Sequence, residues 1–348
     1  MIRSKIAGIG MYVPSNVVTN NDLTKYMDTN DEWIQERTGI KERRYAHRTK
    51  ETTTTMGVEA SKIAIERAGI TAQDIDFIVF ATLSPDYYFP GCGVLLQRAM
   101  QMKQIGALDV RNQCSGFVYA ISVADQFIKS GMYKNILVVG SEKHSFGLDF
   151  TTRGRNISVI FGDGAGAVVL QPTEDTNRGI LSTHLHSDGA DAEILAMYNP
   201  GTHANHWKEN LASFNEGEIA DMFMSHEMID KAELFPFMDG PHVFKTAVVK
   251  FPKVIQEALK TNNYQPSDIH LLIPHQANLR IAQFVQQRLK LRDDQVYNNI
   301  EKFGNTTAAS IPIALCEAYE MGKIKEGDLV CLAAFGSGFT WASALLKW

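Results

Sequence analysis

Short β-branched or apolar runs alternate along the chain with longer amphipathic stretches. FIVFAT (77–82), ILVVG (136–140), AGAVVL (165–170), LLIP (271–274) and LVCLAAF (329–335) read as strands. Helical spacing of apolar residues marks 57–68, 115–129, 242–260, 278–290 and 306–321. The strand runs lack polar alternation, which predicts an α/β fold with sheets covered on both faces. Residues 329–346 carry no charge, but Gly336-Ser337-Gly338 interrupts them. A spanning helix needs ~20 mostly apolar residues, so strand, glycine turn and strand is the reading.

The chain also matches itself. TAQDIDFIV from Thr71 resembles PSDIHLLI from Pro266, and Phe161-Gly-Asp-Gly recurs as Phe335-Gly-Ser-Gly. Cys114 to Gly131 and Asn305 to Gly322 are equal steps, each a helix closed by glycine and followed by a strand. The common order of these matches predicts a duplicated α/β unit. One half is 1–173 with Cys114; the other is 174–348 with His275 and Asn305, including an extended segment at about 193–240. The repeat makes Cys114 and Asn305 pseudo-symmetric partners. It places the active site between the halves, where strand ends meet helix starts.

At 348 residues the chain has room for about two domains. Lys plus Arg is 34 against Asp plus Glu 39, a net charge of -5, so no nucleic-acid footprint is present. The four cysteines form neither a disulfide framework nor a C-x-x-C metal pair, which favours a reducing compartment. MIRSKIAGIG has no long apolar run of a secretory signal. The expectation is a soluble, cytoplasmic protein with no membrane partner.

Cys114 directly precedes a predicted helix. There the helix dipole favours a thiolate, bringing the pKa well below ~8.5; the competing reading is a small buried hydrophobe. His275 ends a strand, either as a proton relay and oxyanion donor or as a turn histidine. Asn305 follows Gly304 as a second donor or an N-cap. Backbone N–H groups of Gly336-Ser337-Gly338 form either an oxyanion hole or a tight turn. Gly162-Asp-Gly-Ala-Gly166 lacks the G-x-G-x-x-G spacing and reads as a turn. His184 and His186 share one face of a strand and His203 and His206 fall in a polar loop; nothing fixes a metal geometry, so no metal is expected.

Several motifs together resemble the β-ketoacyl-acyl carrier protein synthase III family of thiolase-fold condensing enzymes over essentially the whole chain. They are DTNDEWIQERTGI from Asp28, Cys114-Ser-Gly-Phe, FGDGAGA from Phe161, PHQANLRI from Pro274, Gly304-Asn305-Thr and FGSGFTW from Phe335. The resemblance implies a layered α-β-α-β-α sandwich of two halves and a Cys114–His275–Asn305 triad. It also implies a decarboxylating condensation of an acyl primer, carried from acyl-coenzyme A on Cys114, with malonyl-acyl carrier protein. Backbone N–H groups of Cys114 and Gly338 would bind the oxyanion. Trp33, Arg37, Arg155 and Asn156 would line the coenzyme A entrance, with Phe244, Ala277, Asn278 and Arg280 also binding substrate and Lys245 nearby. Phe89 would cross a homodimer interface and limit acyl length. No cofactor is implied beyond the coenzyme A thioester used as substrate.

The chain departs from the family pattern in places. Asn112-Gln113 stand where small residues are usual, and Asp239-Gly-Pro-His242 replaces a glycine-polar-glutamate stretch. Residues 197–238 are rich in methionine (Met197, Met222, Met224, Met228, Met238). These suit a lid over a roomier acyl tunnel, or an extra helix packed on the core. They leave open a specialised synthase joining longer acyl units, with an acyl-Cys hydrolase or acyltransferase and a silent binding homologue as the other classes. His242 is a further, weaker catalytic candidate.

Overall fold

The computed structural model describes residues 2–201, 224 and 226–348. The elements that place the site are β1 (Arg3–Tyr12), α1 (Asp31–Thr38), α2 (Thr53–Arg67), β2 (Phe77–Ala81), α3 (Cys92–Ala99), β3 (Gly106–Val110), α4 (Gly116–Lys129), β4 (Ile136–Glu142) and β5 (Gly164–Thr173). They continue with β6 (Gly179–Ser187), α5 (Gly240–Thr261), β7 (Leu271–Pro274), α6 (Leu279–Leu289), α7 (Ser310–Glu320), β8 (Leu329–Gly336) and β9 (Thr340–Lys347).

Two sheets repeat one topology. The first runs β1-β5-β4-β2-β3 and the second β6-β9-β8-β7. In both, the first two pairings are antiparallel and the next is parallel. The first sheet adds β3 in parallel to β2, and the second has only a single parallel bridge from Leu272 to Val296 at that place. The strands of the first sheet fall within 3–173 and those of the second within 179–347.

Side chains alternating along each strand build the layers. Val79 and Ala81 face a central core shared with Phe117, Ile121, Ile311 and Leu315 of α4 and α7. Ile78 and Phe80 face Met56, Ala60 and Ala64 of α2. In the second sheet Val330, Leu332 and Ala334 point to the same central core. Cys331, Ala333 and Phe335 pack on Phe251, Ile255 and Val285 of α5 and α6. The result is α-β-α-β-α, with both sheets covered on both faces, and it explains the continuous apolar strand runs.

The duplicated halves are present, but the register read from the sequence is off by one helical turn. Gln113 (φ 44) and Thr307 (φ 42) each open a three-residue 3-10 turn that runs straight into α4 and α7. On that match the partner of Cys114 is Ala308, not Asn305. The cause is length: α7 has 11 residues and α4 has 14, so matching back from Gly131 and Gly322 slides the helix starts. Helix α2 also starts before its expected point, at Thr53, because the Thr52 hydroxyl accepts from the Thr55 N–H and caps it. Residues 329–346 form strand, turn and strand, as the glycine interruption indicates.

Candidate active site

Cys114 lies in the 3-10 turn between β3 and α4 and is buried. Gly336, at the end of β8, lies flush against it: a Cβ there would fall 2.5 Å from Cys114 Cβ and 3.0 Å from Sγ. Only glycine lets the second sheet come this close to the sulfur. The neighbouring Ser115 hydroxyl meets the Thr340 hydroxyl at 2.6 Å, tying the same turn to β9.

The expected depression of the Cys114 pKa is not found. Burial pushes the thiol up to about 12, and the Glu142 carboxyl adds to the rise, against a hydrogen bond from the Ser337 N–H. Desolvation of the charged form outweighs the helix start here.

His275 follows β7, with its backbone N–H donating to Ala333 O at 2.8 Å. Its Nδ1 lies 2.6 Å from the Ser310 hydroxyl at the start of α7, and its Nε2 is buried with no hydrogen-bond partner. Burial lowers its pKa to about 3, so the ring is neutral. Asn305 stands after Gly304, whose φ of 64 is the conformation glycine accepts without strain. Its Oδ1 accepts from the Thr307 N–H at 2.8 Å, and its backbone is locked to Ile160 O and the Gly162 N–H. With Oδ1 engaged, the Nδ2 amide is the group left for the cavity.

These three residues line one cavity of about 430 Å³, although they come from three separate loops. His144, Thr307, Phe161, Gln113, Arg111, Leu83, Gly336 and Ser337 also face it. The apolar side is built by Val243, Phe244, Ala247 and Phe251 of α5, together with Ile281 of α6 and Leu195, Met197 and Met238.

The sequence reading missed His144, Glu142 and Thr307. Glu142 and His144 close β4 at the same sheet edge that carries Cys114, which was the available signal. Glu142 is fully buried and accepts from the Leu83 and Ser84 N–H groups and from the Thr82 and Ser84 hydroxyls. Its carboxyl is nevertheless raised by burial. Ser337 lines the cavity and its N–H faces the Cys114 sulfur, whereas Gly338 is not among the lining residues.

Of the expected substrate-binding residues, Phe244, Ala277 and Asn278 line the cavity. Asn278 caps α6 and donates to Arg37 O at 2.8 Å, so the Arg37 group is contiguous with the cavity. Trp33 has two guanidinium groups over its ring, Arg37 at 4.4 Å and Arg155 at 5.1 Å from the centroid. Arg280 and Asn156 are exposed on the first turns of their helices. Phe89 is 80% exposed on a loop with Tyr87 and Tyr88 and does not line the cavity of its own chain.

His242 is corrected. Its Nε2 pairs with Asp191 at 3.0 Å and the residue lies outside the cavity lining, because its place on α5 turns it toward the 189–194 turn. The stems of the 193–240 segment are described: Leu195–Ala196 pairs with Phe237–Met238 and faces the cavity. The centre of that segment, with Met222, His203 and His206, lies outside the described residues. Among the described residues no group of three or more His, Cys, Asp or Glu is arranged to hold a metal.

A buried Cys–His–Asn set between two like halves defines a condensing enzyme of the thiolase fold. The description of 3-oxoacyl-[acyl-carrier-protein] synthase III matches residues 108–189, and that of its C-terminal part matches 259–348. The β-ketoacyl-[acyl-carrier-protein] synthase III of Xanthomonas euvesicatoria is 45% identical over 100% of this chain and 99% of its own length. That of Sulfurimonas denitrificans is 44% identical, covering 99% and 98%. The crystal structure of the Aquifex aeolicus VF5 synthase III superposes with a TM-score of 0.86 at 41% identity, covering 99% of this chain and 100% of that one. The chain belongs to the β-ketoacyl-[acyl-carrier-protein] synthase III family and is a condensing acyltransferase.

Proposed function

We propose that the enzyme joins an acyl primer from acyl-coenzyme A to malonyl-acyl carrier protein, giving a 3-oxoacyl thioester and carbon dioxide. The observation that carries this reading is the convergence of Cys114, the unpartnered His275 Nε2 and the Asn305 amide on one cavity. The names of the relatives favour this initiating condensation over the specialised alternative.

Cys114 Sγ attacks the primer's thioester carbonyl. Coenzyme A leaves as thiolate and takes up the proton that Cys114 loses, so the acyl group ends on the sulfur. Malonyl thioester then loses its carboxylate as carbon dioxide, and the electron pair moves onto the thioester oxygen as an enolate. His275 Nε2–H and Asn305 Nδ2–H donate to that oxygen. The enolate carbon attacks the acyl-Cys114 carbonyl, whose oxyanion accepts from the Cys114 and Ser337 N–H groups. A donor of this kind is worth about 3 kcal/mol in the transition state. Collapse expels the Cys114 thiolate, which is reprotonated, and releases the 3-oxoacyl product.

The Arg37–Trp33–Arg155 stack, with Asn156 and Arg280 exposed nearby, suits the phosphates and adenine ring of coenzyme A. The chemistry needs no cofactor beyond the thioester. The exposed Tyr87, Tyr88 and Phe89 suit a homodimer contact through which Phe89 reaches the partner's acyl site. No helix among the described residues is long and apolar enough to cross a membrane, and we place the enzyme in the cytoplasm with its carrier-protein partner.

The test is intact-protein mass after incubation with acyl-coenzyme A from acetyl to dodecanoyl, paired with carbon dioxide release from malonyl-acyl carrier protein. Short-chain adducts that vanish in Cys114→Ala, with carbon dioxide release, are expected. Medium-chain adducts alone would favour the specialised synthase, and an adduct without carbon dioxide release would make it a plain acyltransferase.

A further inference from the structure

His144 is a titratable cavity side chain that the condensation scheme leaves unused. It follows β4 and is buried. Its Nε2 lies 2.8 Å from the Thr307 hydroxyl, and its ring packs on Phe161 with centroids 4.7 Å apart. Those two neighbours are the supports of Asn305. The Thr307 N–H holds Asn305 Oδ1, and Phe161 is bridged to Asn305 backbone to backbone. Thr307 is itself a β-branched residue at φ 42, a conformation that persists only where its surroundings over-determine it. His144 on one side of its hydroxyl and the nearby Glu142 carboxyl provide that restraint.

We propose that His144 is a positioning residue for the decarboxylation half of the reaction, fixing through Thr307 and Phe161 the amide that Asn305 turns to the cavity. The inference rests on Asn305 acting as an enolate donor. Acyl loading is less exposed to this change, because the nearest contacts of the Cys114 sulfur are Gly336 and Ser337 from β8 and its turn, with only the Glu142 carboxyl shared with Thr307. An apolar side chain of similar size would fill the space against Phe161 but leave the Thr307 hydroxyl without this partner.

The test assays the two half-reactions separately in wild type, His144→Leu, His144→Gln and Thr307→Val. Loading is followed by intact mass with acetyl-coenzyme A, and decarboxylation by carbon dioxide release from malonyl-acyl carrier protein. His144→Leu and Thr307→Val are expected to slow decarboxylation roughly tenfold, the worth of about one hydrogen bond. Loading should fall by clearly less than decarboxylation does, and His144→Gln, which keeps an N–H able to reach Thr307, should recover most of the rate. Equal losses in both half-reactions, or no loss of carbon dioxide release in either variant, overturn the proposal. Should His144→Leu lose its thermal transition, Thr307→Val decides alone, since it keeps the β-branched backbone position. Wild-type protein that neither loads acyl nor releases carbon dioxide would instead sink the condensation reading itself.

Discussion

His275 Nδ1 and Ser310 Oγ lie 2.6 Å apart, and this contact sets which ring nitrogen carries the proton. The Gln276 N–H approaches the same hydroxyl at 3.4 Å, so Ser310 accepts there and donates to Nδ1. The neutral ring then keeps its proton on Nε2, which is buried and has no partner. Such a donor is costly to leave unmet, by about 1–3 kcal/mol, and it is preserved in the place where an enolate oxygen would form.

Ser310→Ala frees the imidazole to turn and to change tautomer. Carbon dioxide release from malonyl-acyl carrier protein should fall roughly tenfold, as expected for one lost orienting hydrogen bond. Formation of acyl-Cys114 should change little. Equal rates for the variant and the wild type would show that packing alone orients His275.

Gly336→Ala would put a methyl group 2.5 Å from Cys114 Cβ and 3.0 Å from its sulfur. Overpacking of this kind costs about 1–3 kcal/mol and displaces the neighbour. The variant should melt several degrees lower and show no acyl adduct by mass. A variant with wild-type loading would mean that the β8 end and the Cys114 turn have slack that the structure does not show.

The duplicated layers were legible because strands buried on both faces leave long apolar runs. Strand β1 was not, since Gly8 and Gly10 interrupt its pattern. A Cβ at Gly10 would fall 2.3 Å from Ala60 O, so the interruption is the imprint of α2 lying close upon it. Cys114, His275 and Asn305 were legible as residues at strand ends and helix starts. That Ser337 rather than Gly338 lines the cavity was not, because it depends on one step of backbone direction within a turn. The place of His144 after β4 was legible, but its link to Asn305 was not, because that lies in a 2.8 Å contact with Thr307, a residue distant in sequence. Cys114 carried two readings in the sequence, a thiolate favoured by its helix start and a small buried hydrophobe; the close approach of Gly336 could not be read there, and burial raises the thiol with the Glu142 carboxyl adding to it.

Acid stability should report the two buried imidazoles. Burial lowers His144 and His275 to about 3 from an ordinary 6.5. As pH falls through about 6.5 the unfolded chain takes up both protons and the folded chain does not. Stability is therefore complete above that value and is lost as pH drops toward 3, by up to about 1.4 kcal/mol per pH unit for each ring. Glu142, raised by burial, acts in the opposite sense, so the informative quantity is a difference between variants. Urea unfolding at pH 7.5, 6 and 5 should show a shallower loss in His144→Gln than in wild type. Parallel curves would mean that His144 titrates alike in the folded and the unfolded chain, with no lowering by burial.

Alkylation of Cys114 tests how burial and the helix start balance. With the thiol near 12, only a minute fraction is thiolate at neutral pH, and thiolate is the species that iodoacetamide attacks. The alkylation rate should therefore climb about tenfold per pH unit between pH 7 and 9, with no plateau. Cys92, Cys316 and Cys331 are also buried and raised, so Cys114→Ala supplies the background rate. Loading draws on the same minor thiolate, and coenzyme A is protonated after it leaves, so acyl loading should show the same pH slope as alkylation. A plateau below pH 8 would show that the start of α4 and the Ser337 N–H outweigh burial. Loading would then begin from a resident thiolate, and its rate would no longer follow pH.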